Sequence, residues 1–214
     1  MARLCGFATR SSSTTPAAEP VTGILGGTFD PIHAGHLAAA DALREVARLD
    51  AVWLMPNAQP PNRPAPTASP SDRLEMVQRA IAGHPGLLAS DLEIRRGGTS
   101  YTVDTAQELA RRFPKTRFAW LIGSDQARAI RSWRDPDRLL DAIDFVVFNR
   151  PGVSVTADQL AALGFKDSRV RLVTIRTPPI AAQDIRDALR NRRAVDGLLP
   201  PPVLAYVDER GLYR

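Results

Sequence analysis

The sequence predicts an α/β domain built on a doubly wound, mostly parallel sheet with helices on both faces. Three observations at its start carry that expectation. Residues 21–25 (VTGIL) are an apolar run closed by Gly26-Gly27. Residues 35–49 (GHLAAADALREVARL) are alanine-rich with apolar residues at helical spacing. Residues 51–55 (AVWLM) are a second apolar run. Short apolar runs bounded by glycine read as buried strands, and the periodic stretch between them as a helix. Strand, helix, strand in that order is a βαβ unit, whose crossover is right-handed.

The alternation continues down the chain. Residues 57–68 (NAQPPNRPAPTA) hold four prolines and read as loop. Ser69-Pro70-Ser71-Asp72 is a helix start: Ser69 can cap, Pro70 suits the first turn and Asp72 completes a capping-box pattern. That helix runs to about residue 82. Residues 87–94 read as strand and 102–112 as helix. Residues 117–122 (RFAWLI) are a buried strand running into Gly123-Ser124-Asp125. A helix at 135–143, a strand at 144–148 and a loop with a short helix follow. A strand at 170–175 and helices at 184–191 and 203–209 complete the pattern. Such an alternation gives a Rossmann-like fold that binds ligands at the carboxyl ends of its strands, near a topological switch point. No repeat and no second boundary appears, so residues 21–214 read as one domain. Residues 1–20 are rich in Ser, Thr and Ala, lack periodicity and read as a disordered leader.

Composition narrows the function classes. A chain of 214 residues can bury a core in one domain. No apolar run is long enough to span a membrane. The single cysteine, Cys5, rules out an internal disulfide and suits a reducing cytoplasm. The net charge is +5, carried mainly by arginine, with Lys115 and Lys166 the only lysines. No basic block interleaves with aromatics, which argues against nucleic acid but leaves phosphates open. The sequence is compatible with a homo-oligomer.

The chemistry concentrates in residues 26–37, GGTFDPIHAGHL, which hold two of the three histidines. A helix N-terminus after a glycine turn presents free N–H groups and the positive end of a dipole, and so attracts phosphate. Gly26 and Gly27 let the backbone approach a ligand without a Cβ in the way. His33 and His36, three apart, can face one bound anion, each as an N–H donor and each charged when phosphate sits beside it. The pattern is neither a Walker A loop nor GxGxxG. Zinc lacks convincing further ligands, since Cys5 sits in the leader and His84 in a separate loop. Taken alone, the pair is also compatible with two polar residues on a helix shoulder.

The stretch does not stand alone. GGTFDPIHAGH resembles the HxGH signature of the nucleotidyltransferase superfamily, and within it the bacterial nicotinate-nucleotide adenylyltransferases. Further segments agree in that family's order: Met55-Pro56 through Gln59-Pro60-Pro61, Ser100-Tyr101-Thr102-Val103-Asp104-Thr105, Gly123-Ser124-Asp125 with Trp133, and Arg150-Pro151-Gly152. The last is Leu199-Pro200-Pro201-Pro202-Val203 with the ending Gly211-Leu212-Tyr213-Arg214. The resemblance implies attack by the 5′-phosphate of nicotinate mononucleotide on the α-phosphorus of ATP, with Mg²⁺ bridging phosphate oxygens. It implies that Gly26, Gly27, Thr28 and Phe29 lie along the ATP phosphates, with His33, His36 and Arg186 as the catalytic set. Gly123, Asp125 and Ile180 would hold the rest of ATP, and Thr102 and Trp133 the nicotinate end.

The sequence also departs from that family. Its late ISxTxxR segment is here Ile180-Ala181-Ala182-Gln183-Asp184-Ile185-Arg186. Ala181 and Gln183 replace the two hydroxyls, and each lost neutral hydrogen bond costs about 0.5–1.5 kcal/mol. In the proline loop the usual histidine is absent and Arg63 remains, placed here as a phosphate contact. These departures motivate one rival, a nucleotide-binding module without catalysis. A sister adenylyltransferase with another phosphate acceptor is a second rival, against which the SYTxxT segment and GLYR ending argue.

Overall fold

Apolar residues alternate across each central strand, and that alternation builds the layers. The structure, a computed structural model, describes residues 20–61 and 63–214. The leader expected at 1–20, with Cys5, lies outside the described residues apart from Pro20. The chain runs β1 (Val21–Gly27), α1 (Ala34–Val46), β2 (Ala51–Pro56), α2 (Pro70–Ile81), β3 (Leu87–Ala89), α3 (Leu92–Arg96) and α4 (Thr102–Arg112). It continues through β4 (Arg117–Gly123), α5 (Ser124–Arg128), a 3₁₀ turn (Ile130–Ser132), α6 (Pro136–Ala142) and β5 (Asp144–Asn149). Then come α7 (Ala157–Ala162), β6 (Val170–Thr174), α8 (Ala182–Arg190) and α9 (Pro201–Arg210).

The strand order is β3-β2-β1-β4-β5-β6, and every pair is parallel. The first three strands wind outward one way and the last three the other, so the switch point lies between β1 and β4. On β1, Ile24 belongs to one apolar cluster and Leu25 to the other; on β2, Met55 and Leu54 divide likewise. One face is covered by α1, α2, α8 and α9 through Leu43, Met76, Ile185 and Val203. The other is covered by α4 and α6 through Leu109 and Leu139. A parallel sheet buried on both faces explains why its strands read as continuous apolar runs. No helix among the described residues is long and apolar enough to cross a membrane.

Most expected elements appear within a residue or two of their expected bounds. The helix start at Ser69 is realised: its Oγ accepts from the Asp72 N–H at 3.1 Å and donates to Asp72 Oδ2 at 2.6 Å, with Pro70 in the first turn. The strand expected over 87–94 stops at Ala89 instead. Its pairing closes with the Ser90 N–H on the Leu54 carbonyl at 2.9 Å. Leu92–Arg96 then winds into α3, burying Leu92 and Glu93. A short apolar run does not distinguish the two conformations by periodicity. The short helix α5 and the 3₁₀ turn before Trp133 carry no apolar period and are not foreseen.

Candidate functional site

The loop after β1 is shaped by what packs against it. A Cβ on Gly26 would lie 2.8 Å from Trp120 Cζ2, and one on Gly27 would lie 3.0 Å from the Phe29 ring. The protein's own aromatic packing therefore leaves no room for a side chain at Gly26 and little at Gly27. Phe29 is buried and takes a left-handed φ of 51°. Beneath the loop lies Arg73, fully buried. Its guanidinium donates to the carbonyls of Thr28 at 2.8 Å, Ala58 at 3.0 Å and Ala68 at 3.3 Å, and to Asn57 Oδ1 at 3.3 Å. One side chain thus ties the loop after β1 to the loop after β2. Asn57 also donates to Thr28 Oγ1 at 3.2 Å.

His33 stands at the N-cap position of α1 with extended backbone, and His36 lies one turn on. The His33 N–H donates to His36 Nδ1 at 3.3 Å. With Nδ1 accepting, the proton of a neutral His36 sits on Nε2. The two rings stack at 3.7 Å between centroids, 25° from parallel, and Phe29 meets His36 edge-on at 5.0 Å. Gly35 makes the stack possible: a Cβ there would lie 3.1 Å from His33 Nδ1 and 3.4 Å from the Pro178 carbonyl. Burial pushes the His33 pKa down to about 4. Burial, then the nearby charges of His33 and Arg150, push His36 down to about 3. In the unliganded protein both imidazoles are therefore neutral at pH 7, each offering one N–H.

Arg186, on α8, donates from Nη1 to the Asp30 carbonyl at 2.8 Å, so it sits against the histidine loop. Ala181 occupies the N-cap position of α8 with no side-chain cap, and Gln183 is exposed. Ile180 is half-buried against the apolar cluster on this face.

On the other face of the sheet, at the carboxyl edge, lies a cavity of about 410 Å³. Gly26, Gly27, Thr28, Asp125, Thr102, Trp133 and Arg63 all line it. The expected residues thus divide into two groups that meet at the end of β1. His33, His36 and Arg186 gather beside residues 28–36, while the ring-binding set gathers in the cavity. Gly123 closes β4 next to Asp125, whose carboxylate pairs with Arg150 at 3.4 Å. Trp133 is half-buried, with one side packed on the core and one on the cavity. Beside it, the Arg134 guanidinium lies 4.6 Å over the Tyr101 ring and 3.6 Å from Asp104.

Sequence reading missed several contributors. Arg73 could have been found as a cation on the apolar stripe of α2, in helical register with Met76, Val77 and Ala80. Glu93 lines the cavity while almost fully buried. Burial raises its pKa, and hydrogen bonds from Thr105 and Ser100 and the charge of Arg96 oppose that rise. Thr105 Oγ1 donates to its Oε1 at 2.6 Å.

The arrangement joins paired N–H donors at a helix start to a cavity of about 410 Å³, with Arg186 at the first and Arg63 and Arg134 at the second. Comparison with known proteins supplies the family. The cytidylyltransferase-like family model matches residues 24–188. A protein of Bordetella pertussis (strain Tohama I), named probable nicotinate-nucleotide adenylyltransferase, is 41% identical over 194 residues, covering 90% of this chain and 97% of that one. A protein of the same name from Oceanobacillus iheyensis is 39% identical over 191 residues, covering 89% and 95%. The solved Plasmodium falciparum nicotinic acid mononucleotide adenylyltransferase, complexed with NaAD, superposes with a TM-score of 0.76 over 91% of this chain and 97% of that one. At 19% identity that likeness speaks for the fold alone.

Proposed function

The chain belongs to the cytidylyltransferase-like family, beside its nicotinate-nucleotide adenylyltransferases, and from that membership we propose the following reaction. The enzyme transfers the adenylyl group of ATP to nicotinate mononucleotide, a step of NAD biosynthesis. An oxygen of the nucleotide's 5′-phosphate attacks the α-phosphorus in line. The bond from that phosphorus to the β-bridging oxygen breaks, pyrophosphate leaves with the electron pair, and deamido-NAD forms. No covalent bond to the protein is made, so catalysis is positioning and charge stabilisation.

The observation that carries this reading is the juxtaposition at the switch point. Two neutral imidazoles head α1 on one side of residues 26–29, and a cavity of about 410 Å³ opens on the other. Gly26 through Phe29 then run along the ATP phosphates. His33 and His36 donate N–H bonds to phosphoryl oxygens without needing to be protonated. In the unliganded protein neither histidine is charged, so the standing positive charge comes from arginines: Arg186 at the departing pyrophosphate and Arg63 at a substrate phosphate. Asp125 and Gly123 hold the adenosine, with Ile180 beside it. Thr102 and Trp133 receive the nicotinate ring, which gains about 0.5–1.5 kcal/mol from stacking beyond burial.

A divalent ion such as Mg²⁺, carried in on ATP, would supply neutralisation of phosphate charge beside the arginines and histidines of this site. Among the described residues no group of three or more His, Cys, Asp or Glu forms a cage. That donor set suits an ion carried on the triphosphate and its waters. The reaction belongs in the cytoplasm, where ATP and pyridine nucleotides are available.

Pyrophosphate release by the purified protein with ATP, Mg²⁺ and either pyridine mononucleotide tests the reading. Release with the nicotinate form and much less with the nicotinamide form is expected. ATP binding without release would favour a module that holds nucleotide but does not turn it over, with the bare N-cap at Ala181 as its cause.

A further inference from the structure

The chain's last residues reach the histidine loop from both sides. Asp30, three residues before His33, is 7% exposed. Its carboxylate accepts from the Thr67 N–H at 2.8 Å, the Ala68 N–H at 3.0 Å and the Tyr213 hydroxyl at 2.7 Å. Tyr213 is itself buried, with a left-handed φ of 63°, between half-buried Leu212 and exposed Arg214. On the far side of His33, the Ala34 N–H donates to the Leu198 carbonyl at 2.9 Å. Residues 198 and 213 thus bracket Pro31-Ile32-His33, and Arg186 grips the Asp30 carbonyl between them. Burial, the Asp30 carboxylate and the hydrogen bond to it raise the Tyr213 pKa far above its ordinary value, so the hydroxyl stays a donor.

We propose that the C-terminal segment is a strut for the histidine loop, with Tyr213 as a positioning residue that acts through Asp30 on His33, His36 and Arg186. The proposal rests on the reading of His33 and His36 as phosphoryl donors. Phosphoryl transfer depends on placement, and a misplacement of about 1 Å can cost roughly a hundredfold in rate. Nothing else in the chemistry uses the GLYR ending, which the sequence places at the very end and the fold brings to the site.

A matched pair of variants separates positioning from stability. Tyr206 makes a similar buried hydroxyl–carboxylate bond, to Asp72 at 2.8 Å on α2, and the side-chain partners the structure records for the two residues, Ser69, Arg79 and Arg210, lie outside the histidine loop. Tyr213→Phe and Tyr206→Phe each remove one such bond. In Tyr213→Phe, kcat is expected to fall about tenfold or more, with KM for ATP moving less than about threefold. In Tyr206→Phe, kcat stays near that of the wild type even if the melting temperature drops as far. A second readout needs no turnover. The chain has three histidines, so imidazole NMR signals are few. In Tyr213→Phe those of His33 and His36 shift or broaden while His84 is unchanged, and in Tyr206→Phe those of His33 and His36 keep their positions. Unmoved His33 and His36 signals in Tyr213→Phe, or equal kcat losses in the two variants, would overturn the strut. A wild-type protein without turnover would sink the proposed reaction instead, and the NMR comparison would still judge the strut.

Discussion

His33 and His36 are visible in the sequence as a pair, but their state is not. A spacing of three on a helix puts two side chains on one face. It does not say that the rings stack at 3.7 Å or that burial holds both neutral. That neutrality has a consequence for stability. Both folded-state pKa values, about 4 and about 3, lie below the ordinary histidine value of 6.5. The unfolded chain therefore takes up protons first as pH falls. Stability from this pair is complete above about pH 6.5 and is lost on acidification toward the folded values, with a slope approaching 1.4 kcal/mol per pH unit for each histidine. Urea unfolding of the unliganded protein at pH 7 and pH 5 checks this, and His36→Gln should flatten the dependence. At the same scale, His36→Ala is expected to cut turnover by about 10²-fold or more, in line with loss of an oxyanion donor, while circular dichroism stays native. Unchanged turnover would mean that His36 does not act on the transferring group.

At the level of elements, local propensity is overruled in informative places. Gly35 is helical, and alanine in a helix is normally better by about 1 kcal/mol. Here the added Cβ would press on the His33 ring, 3.1 Å from Nδ1 and 3.2 Å from Cε1, with the Pro178 carbonyl in contact at 3.4 Å. Gly35→Ala should therefore lower turnover without the stability gain that propensity promises, as kinetics and melting on the same sample would show. The start of α8 offers the opposite case. Ala181 caps nothing there, and serine at an N-cap is worth about 0.5–2 kcal/mol over alanine. Ala181→Ser is expected to raise the melting temperature and to lower KM for ATP if its hydroxyl reaches a phosphate. The sequence exposes this deficit because cap positions are local. It does not expose α3, α5 or the 3₁₀ turn, because five residues or fewer carry no readable period.

For the whole molecule, the alternation of strands and helices was legible, and with it the layer architecture. The strand order was not: nothing local states that the chain returns past β1 to place β4 on its other side, yet that return creates the switch point. Nor does local sequence show Arg73 joining the loops after β1 and β2, or Tyr213 meeting Asp30 across the length of the chain. Arg73→Met is expected to destabilise the fold by about 3–5 kcal/mol, because four acceptors, one buried and three part-buried, lose their donor. Denaturant titration would show it. The most direct measurement of the central claim follows the α-phosphate of ATP. With label at that position, Mg²⁺ and nicotinate mononucleotide, the label should appear in deamido-NAD one for one with pyrophosphate and none should remain on the protein. Label bound covalently to the chain, or ATP binding with no labelled dinucleotide formed, would contradict direct in-line transfer at this site.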